Sequence, residues 1–300
     1  MPLTSFKQML DAAERGGYAV GYFESWDLAS TLAVADAAEA ARSPVILGFS
    51  GMYLSHPERA ARDRLSHYAA FGLDVCRSLS VPACLLFNEC SNLAWVLEAI
   101  DLGFQVVMFT DEALSFDEQA ATVRQVADAA HARAAAVEGE ITPLTGAGGG
   151  HVGTAARHPA TDVVQALEFL ERTQVDALAV DIGQVHTHGR TEARLDLERL
   201  ANLHASLRVP LVLHGATSVA PADLAEAPRR GIRKINVGSA LKQVYFDALR
   251  QACARAPRDY NPYEVIGSGL ATDVLTVARV TLQRKVEGLI ELFGSAGKAS

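Results

Sequence analysis

The chain has 300 residues, 49% of them hydrophobic and 21% charged, with a formal net charge of -8. That composition supports a large buried core, excludes disorder as the default, and offers no Lys/Arg-rich run for an extended nucleic-acid surface. No uncharged apolar stretch reaches the roughly 18 residues that cross a bilayer, Met1–Leu10 lacks a leader-like apolar run, and the four cysteines form no CxxC pair, so a cytoplasmic protein with reduced thiols and no membrane or nucleic-acid partner is expected.

Short apolar runs recur along the chain: Tyr18–Phe23, Val45–Phe49, Val81–Phe87, Val106–Phe109, Ala134–Glu140, Ala177–Ile182, Leu211–His214 and Ile232–Val237. They are continuous rather than alternating, the mark of strands covered on both faces. Amphipathic helical patterns lie between them, at Asp27–Arg42, Asn92–Leu102, Asp117–Ala130, Asp162–Arg172 and Leu197–Leu207. Strict strand–helix alternation predicts a parallel sheet with helices outside, and eight units in about 250 residues predict closure as an α/β (β/α)8 TIM barrel. An open doubly wound sheet would carry a glycine-rich turn after the first strand, where this chain has Glu24-Ser25-Trp26. With no composition break, residues 1–300 read as one barrel domain, extended at the C-terminus by a helix over Ala271–Phe293.

In such a barrel the chemistry sits where strands run into their following loops. Those positions hold Glu24, Ser50, Asn88-Glu89, Glu138 and Glu140, Asp181 with His186, His214-Gly215-Ala216-Thr217-Ser218 and Asn236-Val237-Gly238-Ser239. Each alone is an ordinary loop or capping residue. Together, two carboxylates and two imidazoles, Glu89, Glu140, His186 and His214, suit a divalent metal. The small turns after the seventh and eighth strands suit an anion held by backbone N–H groups and hydroxyls. The substrate and phosphate candidates are Ser50, Gly215, Thr217, Ser218, Asn236, Gly238 and Ser239. The glycine run from Thr145 to His151 follows the fifth strand and is expected near the site, as a closing loop.

Several segments, in order and spacing, resemble the class II, metal-dependent fructose- and tagatose-bisphosphate aldolases. They are Arg42-Ser43-Pro44-Val45-Ile46, Thr173–Val180, Leu211-Val212-Leu213-His214-Gly215, Lys234-Ile235-Asn236-Val237 and Leu292–Lys298. The resemblance implies a lyase that splits a phosphorylated ketose into dihydroxyacetone phosphate and an aldehyde. It implies a divalent metal, zinc by family, with manganese, iron or cobalt as other possibilities, and a homodimer or homotetramer. By position, His186 and His214 match metal-binding histidines, and Glu140 matches the second glutamate of the family's Glu-x-Glu strand.

The third strand departs from the family pattern: Asn88-Glu89 stands where the family has Asp-His. An amide cannot shuttle a proton as a carboxyl group can. Glu89 would offer the metal oxygen in place of nitrogen. The acid/base duty is then expected of His151, of Glu24, or of water held by Asn88. The same departure leaves two other readings open: a catalytically silent sugar-phosphate binder, or a different lyase or isomerase on the same scaffold.

Overall fold

The computed structural model describes residues 3–141, 160–184 and 193–299. In chain order the elements are α1 (Phe6–Gly16), β1 (Val20–Ser25), α2 (Leu28–Ala41), β2 (Val45–Ser50), α3 (Gly51–Leu54), α4 (Leu65–Ser78), β3 (Ala83–Cys90), α5 (Leu93–Asp101), β4 (Val106–Phe109), α6 (Phe116–His131), β5 (Ala136–Glu140), α7 (Val163–Thr173), β6 (Ala177–Ala179), α8 (Leu197–Ser206), β7 (Leu211–Leu213), α9 (Pro221–Glu226), β8 (Ile232–Val237), α10 (Ser239–Arg255), α11 (Pro262–Val265) and α12 (Val274–Leu292). Strands β1 to β8 pair in sequence order, all parallel, and β8 returns to β1, closing the expected barrel.

Local chemistry sets the helix ends. Asp27 and Ser30 cap the start of α2 reciprocally, as Ser115 and Glu118 do for α6. Gly17 ends α1 in the left-handed conformation that suits glycine. Helix α1 had no counterpart among the expected elements. Its Phe6, Met9, Leu10 and Ala13 join Val20, Ile46, Cys84, Leu86, Val106, Ala136, Ala177 and Val212 in one apolar cluster inside the barrel. A separate, larger cluster fills the space between the outward faces of the strands and the helices. Every strand residue except Glu24 and Glu89 is thus buried, which explains the unbroken apolar runs. Helix α12 packs against α2 and α10, and Phe293 just beyond it stacks on Phe23 of β1 at 6.2 Å.

Three strand ends differ usefully from the sequence reading. Strand β3 extends through Cys90, so Asn88 and Glu89 belong to the strand and not to a loop. Strands β6 and β7 are three residues each, which leaves Asp181 and His214 just beyond the sheet.

Candidate functional site

Alternation along a strand turns every second side chain to the barrel axis. Inward from β1 come Tyr22 and Glu24, from β5 Glu138 and Glu140, and from β8 Lys234 and Asn236. Consecutive residues cannot normally both point inward. In β3 they do: the pairing with β4 slips between Phe87 and Cys90, and Glu89 takes a left-handed backbone conformation, φ 47°. For a residue with a Cβ that conformation costs about 1–2 kcal/mol, and strain of this kind collects at working sites. Its result here is that Asn88 reaches Asn236 across the barrel while Glu89 reaches His214.

His214 is the hub. It is 1% exposed. Its Nδ1 lies 2.8 Å from Glu89 Oε1 and its Nε2 lies 2.8 Å from Glu138 Oε1. Burial opposes a charged ring, but the bonds and charges of Glu138 and Glu89 outweigh it and push His214 up to about 10. With a proton on each ring nitrogen, both carboxylates accept. Asn236 Nδ2 stands 3.0 Å from the same Nε2, a close approach rather than a hydrogen bond once Nε2 carries its proton. Behind Glu138, Lys234 Nζ lies 2.7 Å from its Oε2, with both side chains fully buried. Burial alone would raise the Glu138 carboxyl, yet Lys234 and His214 hold it below the usual carboxylate range. Lys234 also donates to Asn236 Oδ1, which fixes which way that amide faces.

Among the described residues, Glu140, two residues along β5, has a long hydroxyl contact to Thr110, 3.4 Å. Burial, with the charges of Glu89 and Glu138 nearby, pushes its carboxyl up to about 8 against the pull of His214. Glu24 at the rim pairs with Lys242 Nζ, itself 4.2 Å from the Tyr53 ring centre. Burial raises the Glu24 carboxyl, partly offset by Lys242. The Glu24 carboxylate fills the space that a Cβ at Gly238 would need.

Beyond β7, Gly215 adopts φ 66° and Ala216–Ser218 form a 3-10 turn. Thr217 Oγ1 accepts from the backbone N–H of Ala240, 3.2 Å, and so ties this turn to the first turn of α10. Gly238 precedes α10 without a side-chain cap, and Ser239 opens it. Ser218 Oγ is turned back onto the Gly215 carbonyl at 2.9 Å, a structural bond. Ser50 is buried at the end of β2, in register with Asn88.

Glu89, Glu140, His214, Asn88 and Asn236 therefore face one another at the C-terminal mouth, with Glu24 beside them. His151, His186 and the glycine run lie outside the described residues. Sequence reasoning gave no role to Glu138, Lys234, Lys242 or Thr110. The first two were within reach: Glu138 and Lys234 each sit two residues from a candidate on the same strand face, Glu140 and Asn236.

The arrangement can be tested as a divalent-ion site by its charges. Lys234 compensates Glu138 and Lys242 compensates Glu24, and among the described residues Glu89 and Glu140 stand beside the His214 imidazole. Two carboxylates and an imidazole match a dication in donor chemistry. Glu138 on the far ring nitrogen is the orienting carboxylate that metal-binding histidines usually have. The donor types suit such an ion, but among the described residues no group of three His, Cys, Asp or Glu side chains is gathered to hold one.

The sequence profile described as fructose-bisphosphate aldolase class-II matches residues 4–298. The fructose-bisphosphate aldolase of Geobacillus stearothermophilus is 33% identical over 304 residues, covering 100% of both chains. The sulfofructosephosphate aldolase of Alkalicoccus urumqiensis is 31% identical over 300 residues, covering 100% of this chain and 99% of that one. Among solved structures, the YdjI aldolase of Escherichia coli superposes with a TM-score of 0.79 at 26% identity, over 99% of this chain and 100% of that one. With a closed eight-stranded barrel and a profile match over nearly its whole length, this chain belongs to the class II fructose-bisphosphate aldolase family, metal-dependent lyases that act on ketose phosphates.

Proposed function

We propose that the chain catalyses reversible aldol cleavage of a phosphorylated ketose to dihydroxyacetone phosphate and an aldehyde, with a divalent ion held by Glu89, Glu140, His214 and His186. The observation that carries this reading is the inward pairing of Glu89 with His214, backed by the buried Glu138–Lys234 pair. When bound, a divalent ion at this place polarises a carbonyl and neutralises the negative charge that develops as the carbon–carbon bond breaks. The family resemblance implies zinc, and the donors also admit manganese, iron and cobalt.

The chain's own groups do the rest. Glu138 holds the His214 ring in place through Nε2, leaving Nδ1 for the site. Lys234 holds both Glu138 and the Asn236 amide, so Asn236 presents its N–H groups towards Asn88 and the mouth. Asn236 and Asn88 orient substrate oxygens. The Gly215–Ser218 turn and the Gly238–Ser239 start of α10 hold the phosphate, and Ser50 lines the mouth beside them. The proton is carried by His151, with Glu24 as the described alternative and Asn88-held water as a third route. By resemblance the protein works as a homodimer or homotetramer, and its four free cysteines suit the cytoplasm. No described helix is long and apolar enough to cross a membrane.

The test is cleavage of ketose mono- and bisphosphates, with products identified by NMR, before and after treatment with a chelator. Cleavage that is lost on chelation and restored by a divalent ion is expected. If no substrate is cleaved with any divalent ion, the reading fails. The amide at position 88, bonded to another amide rather than to an acid, favours one second reading: a silent sugar-phosphate binder. That binder would gain thermal stability from the same sugars and yield no product.

A further inference from the structure

We infer that the face of the Tyr22 ring holds the buried Lys234 ammonium in place for Glu138 and Asn236, which makes Tyr22 a positioning residue of this site. The inference rests on the aldolase reading above, since it concerns how Asn236 and His214 are held there. Tyr22 on β1 pairs with Asn236 on β8, and Lys234 lies two residues before Asn236 on the same inward face. Lys234 is fully buried and Tyr22 is 1% exposed. An ammonium has three N–H donors and no acceptor. Glu138 Oε2 takes one at 2.7 Å and Asn236 Oδ1 takes another. Lys234 Nζ also stands over the Tyr22 ring, 5.1 Å from its centre. The negative face of an aromatic ring attracts a cation, and the attraction grows where water is excluded.

The ring, and not the hydroxyl, is the part in use. Tyr22 Oη is buried and has no hydrogen-bond partner among the described residues, whereas a buried tyrosine hydroxyl usually finds one. Burial, with the charges of Glu24, Glu89 and Glu138, pushes the phenol well above its ordinary range, so it stays neutral. The bare backbone of Gly48 on β2 gives the ring its room: a Cβ there would stand 3.0 Å from Tyr22 Cε2. Lys234 needs the support. Burial pulls its ammonium below the usual lysine range, and Glu138 opposes that pull, with smaller effects of the same sign from Glu89 and Cys84. A neutral Lys234 would leave Glu138 without its compensating charge and weaken the bond that fixes the Asn236 amide.

The experiment places phenylalanine, then 4-fluoro-, 3,5-difluoro- and 3,4,5-trifluorophenylalanine, at position 22 of the full-length protein. Fluorine strips charge from the ring face and barely changes its shape, so a role in packing alone would not respond. Lys234 is titrated by NMR of its labelled ε-carbon. The lysines of the chain are Lys7, Lys234, Lys242, Lys285 and Lys298, few enough to assign, with Lys234→Arg identifying the signal. Tyr22→Phe should leave the acid dissociation constant of Lys234 within threefold of wild type. The trifluoro ring should raise that constant about tenfold over phenylalanine, one pKa unit, with the other rings in order between. The high-pH limb of kcat for ketose phosphate cleavage should move down in step. A Lys234 titration indifferent to fluorine overturns the inference, as does a Tyr22→Phe protein that does not fold. If Lys234 responds and the kcat limb does not, the ring holds the lysine but does not position the site, and the inference also falls. A wild type that cleaves no ketose phosphate brings down the aldolase reading, and the NMR titration then decides the contact of ring and lysine by itself.

Discussion

Towards the strand starts, the barrel interior is filled by Phe6, Met9, Leu10, Val20, Ile46, Cys84, Leu86, Val106, Ala136, Ala177 and Val212. Towards the strand ends, the same strands turn Glu24, Asn88, Glu89, Glu138, Glu140, Lys234 and Asn236 inward, with His214 just past β7. One half gains stability from apolar area removed from water. The other buries charge, which is expensive unless every group is matched. In the upper half each charge is held by the next, in a chain from Lys234 through Glu138 and His214 to Glu89, so a change to one is felt by all.

That contrast can be broken most directly at Lys234. Replacing it by Met leaves Glu138 buried with His214 as its remaining described partner, and a loss of about 3–5 kcal/mol in chemical denaturation is expected. Adding Glu138→Gln to Lys234→Met should recover part of the loss. No recovery would show that the two residues do not act as a pair. In the lower half, Leu10→Ala should cost about 2–5 kcal/mol by opening a cavity while divalent-ion affinity stays at the wild-type value. A drop in affinity would mean that the halves are not separate. The smallest effect is expected at the link between the phosphate-side turns: Thr217→Val removes the hydroxyl that accepts from Ala240 and should cost about 1 kcal/mol. It should raise KM for the sugar phosphate more than it lowers kcat, and a kcat-only effect would place Thr217 elsewhere in the reaction.

Much of this was legible beforehand. The eight apolar runs gave the barrel because strands enclosed on both faces leave continuous apolar stretches. The strand ends gave Glu89, Glu140, His214 and Asn236, because the site of such a barrel has a fixed address. What stayed hidden were pairings across the barrel. His214 and Glu89 are 125 residues apart in the chain, and His214 and Glu138 are 76 apart. No local pattern announces that their side chains meet. Glu138 reads as one more strand residue until Lys234 is seen beside it, and Lys234 reads as an unremarkable lysine in an apolar run until it proves fully buried. Helix α1 was missed because the opening segment was weighed only as a possible leader.

Composition, periodicity and the order of polar residues at strand ends thus determined the architecture and the neighbourhood of the site, since both follow from short-range alternation repeated along the chain. Closure of the sheet alone decided which charges meet. The inward turn of Glu89 needed the slipped pairing of β3 with β4, and the match of Lys234 to Glu138 needed two strands brought face to face across the axis. Both are consequences of long-range packing, where a buried charge is tolerated only beside its partner.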